Sequence, residues 1–451
     1  MNKVFIRICV VYNSIHIVIN NLFILPSSWL CKMKLISDLH IHSRFAMACS
    51  KQITLQNLEK YARIKGLELL GTGDFQHPVW SKDIENELTE DENGILWSKT
   101  KFPFIFQTEI SLMYSQGGRG RRLHLMIYSP GKEVSDQITA ALLKKGRIDY
   151  DGRPIFGFTA IELVDMMNSI SKDIEIVPAH VWTPWFGLLG EKSGFDSVEE
   201  CFQEKSKYIH ALETGMSSDP AMNWRLSKLD KYNLVSFSDM HSFWPWRIGR
   251  EATTFDIKKL TYKNIIKAMR TGEGLHSTVE TDPGYGRYHF DGHRKCGISF
   301  SPKDTHKHKG ICPVCKKKIT IGVEYRVEEL ADRPEGFLPK NYKDYFKLIP
   351  LTEILSKLYK KGLATKTIWQ EYNKLVNKER SEFDILLKLP IEELKNIMND
   401  KLANIIIKNR AGKIKVIPGY DGVYGVPVFN KSDEPEPIKL ERHPQKGLGD
   451  F

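Results

Sequence analysis

Acidic and histidine side chains recur in closely spaced sets along this 451-residue sequence. Asp38, His40 and His42 occupy alternate positions, and in an extended backbone that spacing projects all three side chains to one side. Asp239 and His241 repeat the arrangement much later in the chain. Because buried polar groups on one face cost several kcal/mol unless they are paired, this pattern indicates metal ligands.

Further candidate ligands lie in or just past short apolar runs that are typical of strands. They are Asp74, His77, Glu109, His124 and His180. Carboxylate oxygens and imidazole nitrogens suit Zn²⁺, Mn²⁺ or Fe. Taken singly, His124 would most often be a core histidine and Asp74 a turn residue. Only the joint pattern points to a metal centre.

The elements that must position these residues alternate between strand and helix. Apolar, β-rich runs predict seven strands, at 34–37, 67–72, 103–108, 123–128, 174–179, 208–213 and 234–238. Strands that alternate with helices predict parallel pairing through crossover units, with the candidate ligands mostly at the carboxyl ends of the strands. The longest break, Ser111–Arg122, contains GGRGRR and predicts a basic loop, since it matches no nucleotide-binding motif.

Capping residues predict where three of the intervening helices begin or end. Thr54 and Gly66 would bound the first, and Thr159–Asn168 fits the second. Ser218 or Asp219 would start the third, over PAMNWRLSKLD.

Six short motifs resemble those of the polymerase-and-histidinol-phosphatase (PHP) superfamily: DLHIHS, GTGDF, TEI, LHL, PAHV and SDMHS. Longer segments resemble the archaeal endonuclease Q family, namely VPAHVWTPWFGLLG, ALETGMSSDPAMNW and DMHSFWPWRIGRE, and the likeness spans nearly all of residues 33–451. The resemblance implies an α/β fold. Its form would be a distorted (β/α)7 PHP barrel with an appended zinc-binding module and a C-terminal helical domain.

The same resemblance implies two groups of ligands that share one residue. A first divalent metal would be held by His40, His42, Glu109 and Asp239. Glu109 would bridge to a second metal that His124 and His180 complete. We therefore expect two divalent metals, which could be Zn, Mn or Mg.

A third metal site departs from the superfamily pattern. Phe75 stands where a histidine is usual, and residues 46–50 offer no strong ligand apart from Cys49. A third metal would need His241 together with His77 from a shifted position. Asp74, Asp239 and His241 are the candidate catalytic residues: Asp74 or His241 would orient or deprotonate the attacking water, and the sequence leaves both open.

A separate metal site is predicted beyond the barrel. His293 and Cys296 are separated by two residues, as are Cys312 and Cys315. Two such pairs are typical of a structural zinc knuckle. His289 is an alternative to His293, which we favour because it repeats the two-residue spacing. A closed set of four ligands would support folding rather than chemistry.

The charged-residue content of the sequence indicates what kind of partner the protein binds. Lys and Arg number 66 against 55 Asp and Glu, and a net charge of +11 favours a polyanion such as nucleic acid. The lysine-rich runs of residues 320–425, predicted mostly helical, and the basic 117–122 loop would line a phosphate-binding track.

Seven cysteines do not suggest a disulfide framework and favour a reducing, cytoplasmic location. The aromatic residues near the motifs would either pack or stack on an everted base: Trp182, Trp185, Phe186, Phe243, Trp244 and Trp246.

The two ends of the chain differ in character from the rest. Residues 4–25 are apolar, but Arg7, His16 and several asparagines argue against a membrane span, so no membrane association is expected. Residues 1–32 are predicted to be a mis-assigned start or a dispensable extension.

Residues 432–451 are predicted to form a disordered tail. In that tail Gln445, Leu448 and Phe451 resemble a sliding-clamp-binding motif, which makes a sliding clamp an expected partner.

These features predict a catalytic barrel over 33–285, a zinc-binding module over 286–330 and a lysine-rich helical domain over 331–431. The resemblance implies a DNA repair endonuclease that cuts 5′ of deaminated bases (uracil, hypoxanthine or xanthine) or abasic sites with metal-activated water. The alternative is a small-molecule phosphoesterase of the histidinol-phosphatase type, which leaves the zinc module and the tail without a purpose. A DNA-binding scaffold with a structural metal is a third hypothesis.

Overall fold

A computed structural model describes residues 9–11, 14–16 and 32–429 of the chain. The first strands are β1 (Cys9–Val11), β2 (Ser14–His16), β3 (Met33–Asp38), β4 (Leu69–Gly71), β5 (Leu88–Glu90), β6 (Leu96–Ser98), β7 (Pro103–Gln116), β8 (Arg119–Ser129), β9 (Ile155–Phe156) and β10 (Glu175–Pro178). The others are β11 (Ala211–Glu213), β12 (Asn233–Val235), β13 (Ala252–Ile257), β14 (Leu275–Glu280), β15 (Asp291–His293), β16 (Ile298–Phe300), β17 (Asp344–Lys347), β18 (Lys415–Ile417) and β19 (Val426–Val428).

The α-helices lie mostly between the strands and in the last third of the chain. They are α1 (Leu55–Lys65), α2 (Pro78–Glu87), α3 (Lys132–Leu143), α4 (Ala160–Ile170), α5 (Val198–Phe202), α6 (Pro220–Asn223), α7 (Tyr262–Thr271), α8 (Pro302–Lys307), α9 (Val323–Leu330), α10 (Leu351–Tyr359), α11 (Lys366–Leu375), α12 (Ile391–Ile397) and α13 (Asp400–Arg410). The fold is therefore mixed α/β. Within the described ranges no helix is both long and apolar enough to cross a membrane.

One mixed sheet carries most of the strands, in the order β10-β8-β7-β4-β3-β13-β14-β17. The pairs β3–β4, β4–β7 and β14–β17 are parallel, and the other neighbours on this path are antiparallel. β11 and β12 form a separate parallel pair. All seven predicted strands are present, as β3, β4, β7, β8, β10, β11 and β12, and the prediction of their existence is confirmed.

The predicted pairing was wrong at the β7–β8 hairpin. The segment Ser111–Arg122, predicted to be a loop, consists of the two strand ends and a tight turn, with the ladder running to Gln116 opposite Arg119. Gly117 and Gly118 have φ of +63° and +74°, and two adjacent glycines with positive φ allow a two-residue turn that reverses the chain. No crossover helix is needed, so β8 runs antiparallel to β7 and β10 antiparallel to β8.

The seven predicted strands share one buried core. Each contributes at least one side chain to a single hydrophobic cluster, which includes Leu35, Leu69, Ile105, Met126, Val177, Ala211 and Val235. Single links connect the separate β11–β12 pair to the main sheet: the Val181 N–H donates to the Glu213 carbonyl at 3.0 Å, and Ile41 bridges Met240 in parallel. The carboxyl ends of β3, β4, β10, β11 and β12 are thereby brought to one side of the core, whereas β8 runs in the opposite direction.

The predicted helix caps are observed. The Thr54 side chain accepts from the Asn57 N–H at the start of α1, and Gly66 ends the helix with φ +96°. Thr159 caps α4. Asp219 caps α6 as predicted, but that helix ends after four residues rather than running through PAMNWRLSKLD.

The last third of the described chain is mainly helical, as predicted, but it also contributes strands. β17 extends the main sheet beside β14, and β18 pairs with β19 as a hairpin. The predictions for residues 1–32 fall outside the described residues apart from β1 and β2, and Lys32 is the last residue before β3. The predicted tail, 432–451, also lies outside the described residues.

Candidate metal centre

Four predicted ligands converge at the carboxyl side of the strand core. Candidate ligand atoms of His40, His42, Glu109 and Asp239 all lie within 4.8 Å of one another. Nε2 of His42 lies 3.0 Å from Oδ1 of Asp239 and 3.2 Å from Oε2 of Glu109. Nε2 of His40 lies 3.5 Å from Oε1 of Glu109. Residues that are far apart in sequence thus form one group of donors.

Glu109 also belongs to a second group, with His124 and His180. Its Oε1 lies 3.0 Å from Nδ1 of His124 and 3.2 Å from Nε2 of His180. The Glu109 side chain is fully buried. A single carboxylate therefore stands between two sets of imidazoles, which is the arrangement needed to bridge two cations.

Sharp turns after the strands position three of the side chains in or next to the centre. Asp74, His180 and Asp239 have φ of +37°, +31° and +46°, in the left-handed region that non-glycine residues rarely adopt. Such conformations cost of order 1–3 kcal/mol each and are found preferentially at functional sites. Gly215 allows one of them: a Cβ built on it would lie 2.6 Å from the Cβ of His180.

Two buried carboxylates orient the histidines of the first group. Glu213 accepts at 2.9 Å from Nδ1 of His40, and its other oxygen accepts at 2.7 Å from the His180 backbone N–H. Asp74 lies 3.1 Å from Nδ1 of His42 and accepts at 2.7 Å from the Ser43 N–H. A carboxylate on Nδ1 holds a proton on that nitrogen, so Nε2 is the nitrogen directed at the metal position.

The charges of the site stabilise one another. Burial raises the pKa of Asp239, but His40 and His42 outweigh it and hold that pKa well below its usual range. Burial also raises the pKa of Glu109, and the hydrogen bond from His124 together with the positive charges of Arg153 and His40 reverses the effect. Both carboxylates are consequently ionised at neutral pH. Burial lowers the pKa of His124 to about 4, so its imidazole is neutral and available as a ligand.

The residues present fit divalent cations. The donor set combines carboxylate oxygens with imidazole nitrogens, as Zn²⁺ and Mn²⁺ prefer. Nε2 of His40 is buried and makes no hydrogen bond with the described residues. A bound cation would give that nitrogen a partner and would balance the buried carboxylates.

Several predicted residues lie elsewhere. Asp38 accepts from the Ser238 N–H and hydroxyl and from the Gly249 N–H, so it braces the backbone and does not join the ligand groups. His77 stacks on Phe45, with ring centroids 4.1 Å apart, and belongs to neither ligand group. A role for His77 as a shifted ligand of a third metal stays a prediction.

The two candidates for water activation have different positions. Asp74 is fully buried and bonds to His42 on the side of the ring away from Glu109 and Asp239, so the geometry favours an orienting role. His241 lies beside the cluster, its ring centroid 5.1 Å from that of His42, and its side chain is 34% exposed. Nδ1 of His241 lies 2.9 Å from the Asp239 carbonyl oxygen.

Sequence reasoning missed two residues of the centre. Glu213 ends the predicted strand 208–213, and the same strand-end position that singled out other ligands could have identified it. Arg153 donates from Nη1 to Oε2 of Glu109 at 3.0 Å. It lies in the loop before β9, where no periodic pattern gives a signal.

The second predicted metal site is also assembled. Ligand atoms of His293, Cys296, Cys312 and Cys315 lie within 4.8 Å of one another, and His293 Nδ1 is 3.6 Å from Cys315 Sγ. His289 instead pairs with Glu324 at 3.0 Å. The geometry therefore favours His293 over His289 as the fourth ligand. Tetrahedral thiolate and imidazole ligands suit zinc, and these residues fit it.

The predicted aromatic set divides into two parts. Phe186 packs on the ring of His124, with centroids 4.3 Å apart, and the adjacent Trp185 contacts Tyr288. Trp244 and Trp246 instead stack on each other at 5.6 Å, and Trp244 also contacts Trp369 of α11. Only the first part lies against a ligand of the metal centre.

Comparison with solved structures finds two close matches over most of the chain. The crystal structure of the lesion-specific endonuclease PfuEndoQ from Pyrococcus furiosus superposes with a TM-score of 0.79 at 31% identity, covering 88% of this chain and 95% of that one. A structure of endonuclease Q with a 27-mer duplex substrate that has an abasic lesion at its active site matches with a TM-score of 0.78 at 30% identity, covering 89% and 98%.

Two further matches come from sequence. Residues 350–413 match the family described as the MJ0043 C-terminal domain. The uncharacterized protein MJ0043 of Methanocaldococcus jannaschii is 32% identical over 291 residues, which is 63% of this chain and 35% of that protein. The chain therefore spans about a third of the length of this curated relative.

Proposed function

This chain belongs to the endonuclease Q family, and from that premise we propose that it is a metal-dependent DNA repair endonuclease. Its substrate would be duplex DNA that contains a deaminated base (uracil, hypoxanthine or xanthine) or an abasic site. The cut would fall on the phosphodiester 5′ of the lesion. A mispaired or missing base costs less to unstack, and this difference would supply selectivity.

The observation that carries the proposal is the position of Glu109. Its carboxylate lies within 3.2 Å of imidazole nitrogens on both sides: His42 in one ligand group, His124 and His180 in the other. Two cations held by a shared carboxylate suit an in-line displacement at a phosphodiester. Family membership and this geometry support the same reaction independently.

We assign the metal ligands according to the two groups of donor atoms described above. His40, His42, Glu109 and Asp239 would hold the first cation, and Glu109, His124 and His180 the second. When bound, the cations would supply Lewis acidity, which makes hydroxide accessible at neutral pH and stabilises charge on the phosphoryl oxygens. Zn²⁺, Mn²⁺ and Mg²⁺ are the candidate ions.

The remaining residues of the centre would position ligands and move the proton. Glu213 and Asp74 hold His40 and His42 with Nε2 directed inward. His241, at the exposed rim, would accept the proton of the attacking water. Arg153 sits beside the bridging Glu109 and is 21% exposed, so it could also donate to a phosphate oxygen.

We propose the same domain organisation as the sequence suggests. The strands of 33–285 would form the distorted seven-strand PHP barrel, which the common core and the single links Val181–Glu213 and Ile41–Met240 support. The 286–330 module would hold one structural zinc. The lysine-rich 331–431 domain would contribute to DNA binding.

We also propose that the tail binds a sliding clamp through Gln445, Leu448 and Phe451. This proposal rests on the sequence motif alone. Deletion of residues 445–451 should abolish association with a purified clamp while leaving nicking unchanged. Unchanged association would contradict it.

One assay tests the nuclease function. A labelled duplex with a single uracil, hypoxanthine or abasic site is incubated with the protein and Mn²⁺ or Mg²⁺. We expect a single nick 5′ of the lesion, and its loss in Asp239→Asn and Glu109→Gln. Asp149→Asn, which changes an exposed carboxylate that pairs with Arg147, is the matched control and should nick normally.

The other hypotheses give different results in the same assay. Hydrolysis of a free phosphomonoester without nicking would identify a small-molecule phosphoesterase. Binding of the duplex with neither reaction would identify a scaffold. Either outcome would overturn the proposed function.

A further inference from the structure

Two arginines and two tyrosines meet on the surface between the zinc-binding segment and the β18–β19 hairpin. A Cβ built on Gly422, in the turn of that hairpin, would lie 3.7 Å from Nη2 of Arg287 and from Nη1 of Arg294, and 3.8 Å from the phenolic oxygen of Tyr288. The Arg287 guanidinium also lies 5.1 Å from the ring centre of Tyr424. We name these four residues, Arg287, Tyr288, Arg294 and Tyr424, the arginine cradle.

Among the described residues, no carboxylate forms an ion pair with either arginine of the cradle. Neither Arg287 nor Arg294 has a carboxylate oxygen within 4.0 Å in that part of the chain, and both side chains are exposed. The neighbouring Asp421 uses its oxygens to accept from the Arg294 backbone N–H and the Thr320 hydroxyl. Two guanidinium groups held near one point repel each other unless an anion lies between them.

The chemistry of the cradle fits a phosphodiester. Guanidinium groups bind phosphate through charge-assisted hydrogen bonds, and a tyrosine hydroxyl adds a further donor. Tyr424 is 60% exposed, and an exposed aromatic ring beside arginines can stack on a nucleic-acid base. A carboxylate of a partner protein would pair with the arginines but would make no use of the exposed Tyr424 ring. A nucleic acid can contact both.

The cradle is connected to the metal centre by contacts between rings. Tyr288 contacts Trp185 with ring centroids 5.1 Å apart. The next residue, Phe186, packs at 4.3 Å on His124, a proposed metal ligand. A DNA strand whose scissile phosphate reaches the metal centre could therefore continue along Trp185 to the cradle.

We infer that the arginine cradle binds the DNA backbone a few nucleotides from the scissile phosphate, with Arg287 and Arg294 each contacting a phosphate and Tyr424 stacking on a base. The inference rests on the proposed function, because it assumes DNA as the ligand of the metal centre. Such contacts are independent of sequence and of the lesion. They set the register of the strand on the enzyme.

Binding of an undamaged duplex as a function of salt tests the inference. Fluorescence anisotropy with the full-length, metal-loaded protein gives the slope of log K against log salt between about 50 and 200 mM. In Arg287→Ala/Arg294→Ala we expect a slope that is smaller by about 1.8, since each lost phosphate contact removes about 0.9. The affinity for lesion and undamaged duplexes should fall by the same factor.

Two further variants separate a contact role from a structural one. Arg287→Lys/Arg294→Lys keeps both charges and should keep most of the slope. Arg63→Ala/Lys267→Ala removes the same charge from α1 and α7, where both side chains pair with neighbouring glutamates, and should leave the slope unchanged. If the double alanine variant fails to fold, Arg287→Gln alone should lower the slope by about 0.9.

The outcomes for the cradle and for the nuclease are distinguishable. An unchanged slope in the folded alanine or glutamine variant overturns the cradle, and so does an equal loss in the Arg63/Lys267 control. The cradle variants should still hydrolyse bis(p-nitrophenyl) phosphate at the wild-type rate, because this small diester reaches only the metal centre. A wild-type protein that binds DNA through the cradle but never nicks a lesion would refute the proposed function alone.

Discussion

The substitution Glu213→Gln should weaken metal binding although Glu213 itself lies outside both ligand groups. Its carboxylate accepts hydrogen bonds from Nδ1 of His40 and from the backbone N–H of His180. The backbone N–H is always a donor, so the single oxygen of a glutamine must face His180. The amide NH₂ then replaces the oxygen that lies 2.9 Å from Nδ1 of His40, and the remaining oxygen, 3.1 Å from Nδ1, is shared with the His180 N–H. This arrangement disfavours a proton on Nδ1 and favours one on Nε2, the nitrogen that should bind the metal.

The size of the effect follows from this change of tautomer. Loss of the group that orients a ligating histidine typically costs 10–100-fold in metal affinity, which is about 1.4–2.8 kcal/mol. Titration of metal-stripped protein with Mn²⁺ in a calorimeter measures the affinity directly. We expect the tighter transition to weaken by this factor and lesion nicking to require correspondingly more Mn²⁺.

Glu175→Gln is the matched control. Glu175 is also buried and lies 3.0 Å from Nδ1 of a histidine, His210, but it sits at the opposite end of β10 from His180. This variant should bind Mn²⁺ as the wild type does. Equal affinities for wild type and Glu213→Gln, or equal losses in both variants, would refute the reasoning.

Three further changes test other parts of the account. Gly215→Ala places a Cβ 2.6 Å from that of His180 at a φ of +59°, so urea denaturation should show a free energy of unfolding lower by about 1–3 kcal/mol; unchanged stability would contradict the close approach. Cys312→Ser removes a buried thiol of the second site, and elemental analysis should find one zinc fewer per chain, whereas an unchanged zinc content would exclude that site. Burial raises the pKa of Glu251 to about 8, so the folded protein keeps a proton that the unfolded chain loses above about pH 5. The free energy of unfolding should therefore fall as the pH rises from about 5 to about 8, and less steeply in Glu251→Gln; equal slopes would contradict the shift.

The existence of the strands was predictable because apolar runs and flanking turn residues are local features. The convergence of His40, Glu109 and Asp239 followed from the family's motif order, because the spacing of residues cannot by itself place distant strands side by side. The two pairs of predicted zinc ligands could be recognised without a family resemblance, because each pair lies in a local turn with a fixed spacing.

The features that the sequence did not reveal depend on tertiary contacts. The reversal at Gly117 and Gly118 turned a predicted crossover into a hairpin, because two glycines suffice for a turn that the surrounding strands then select. Glu213 and Arg153 acquire their roles only from the side chains they face. Asp74 follows a strand as a ligand would, yet it lies behind His42 rather than among the ligands.

The bridging role of Glu109 is tested most directly by an anomalous difference map from crystals grown with Mn²⁺. We predict two peaks about 3.5–4 Å apart, both within about 2.0–2.5 Å of the Glu109 carboxylate. The absence of peaks among these residues, or a pair of peaks that leaves Glu109 uncoordinated, would contradict the account.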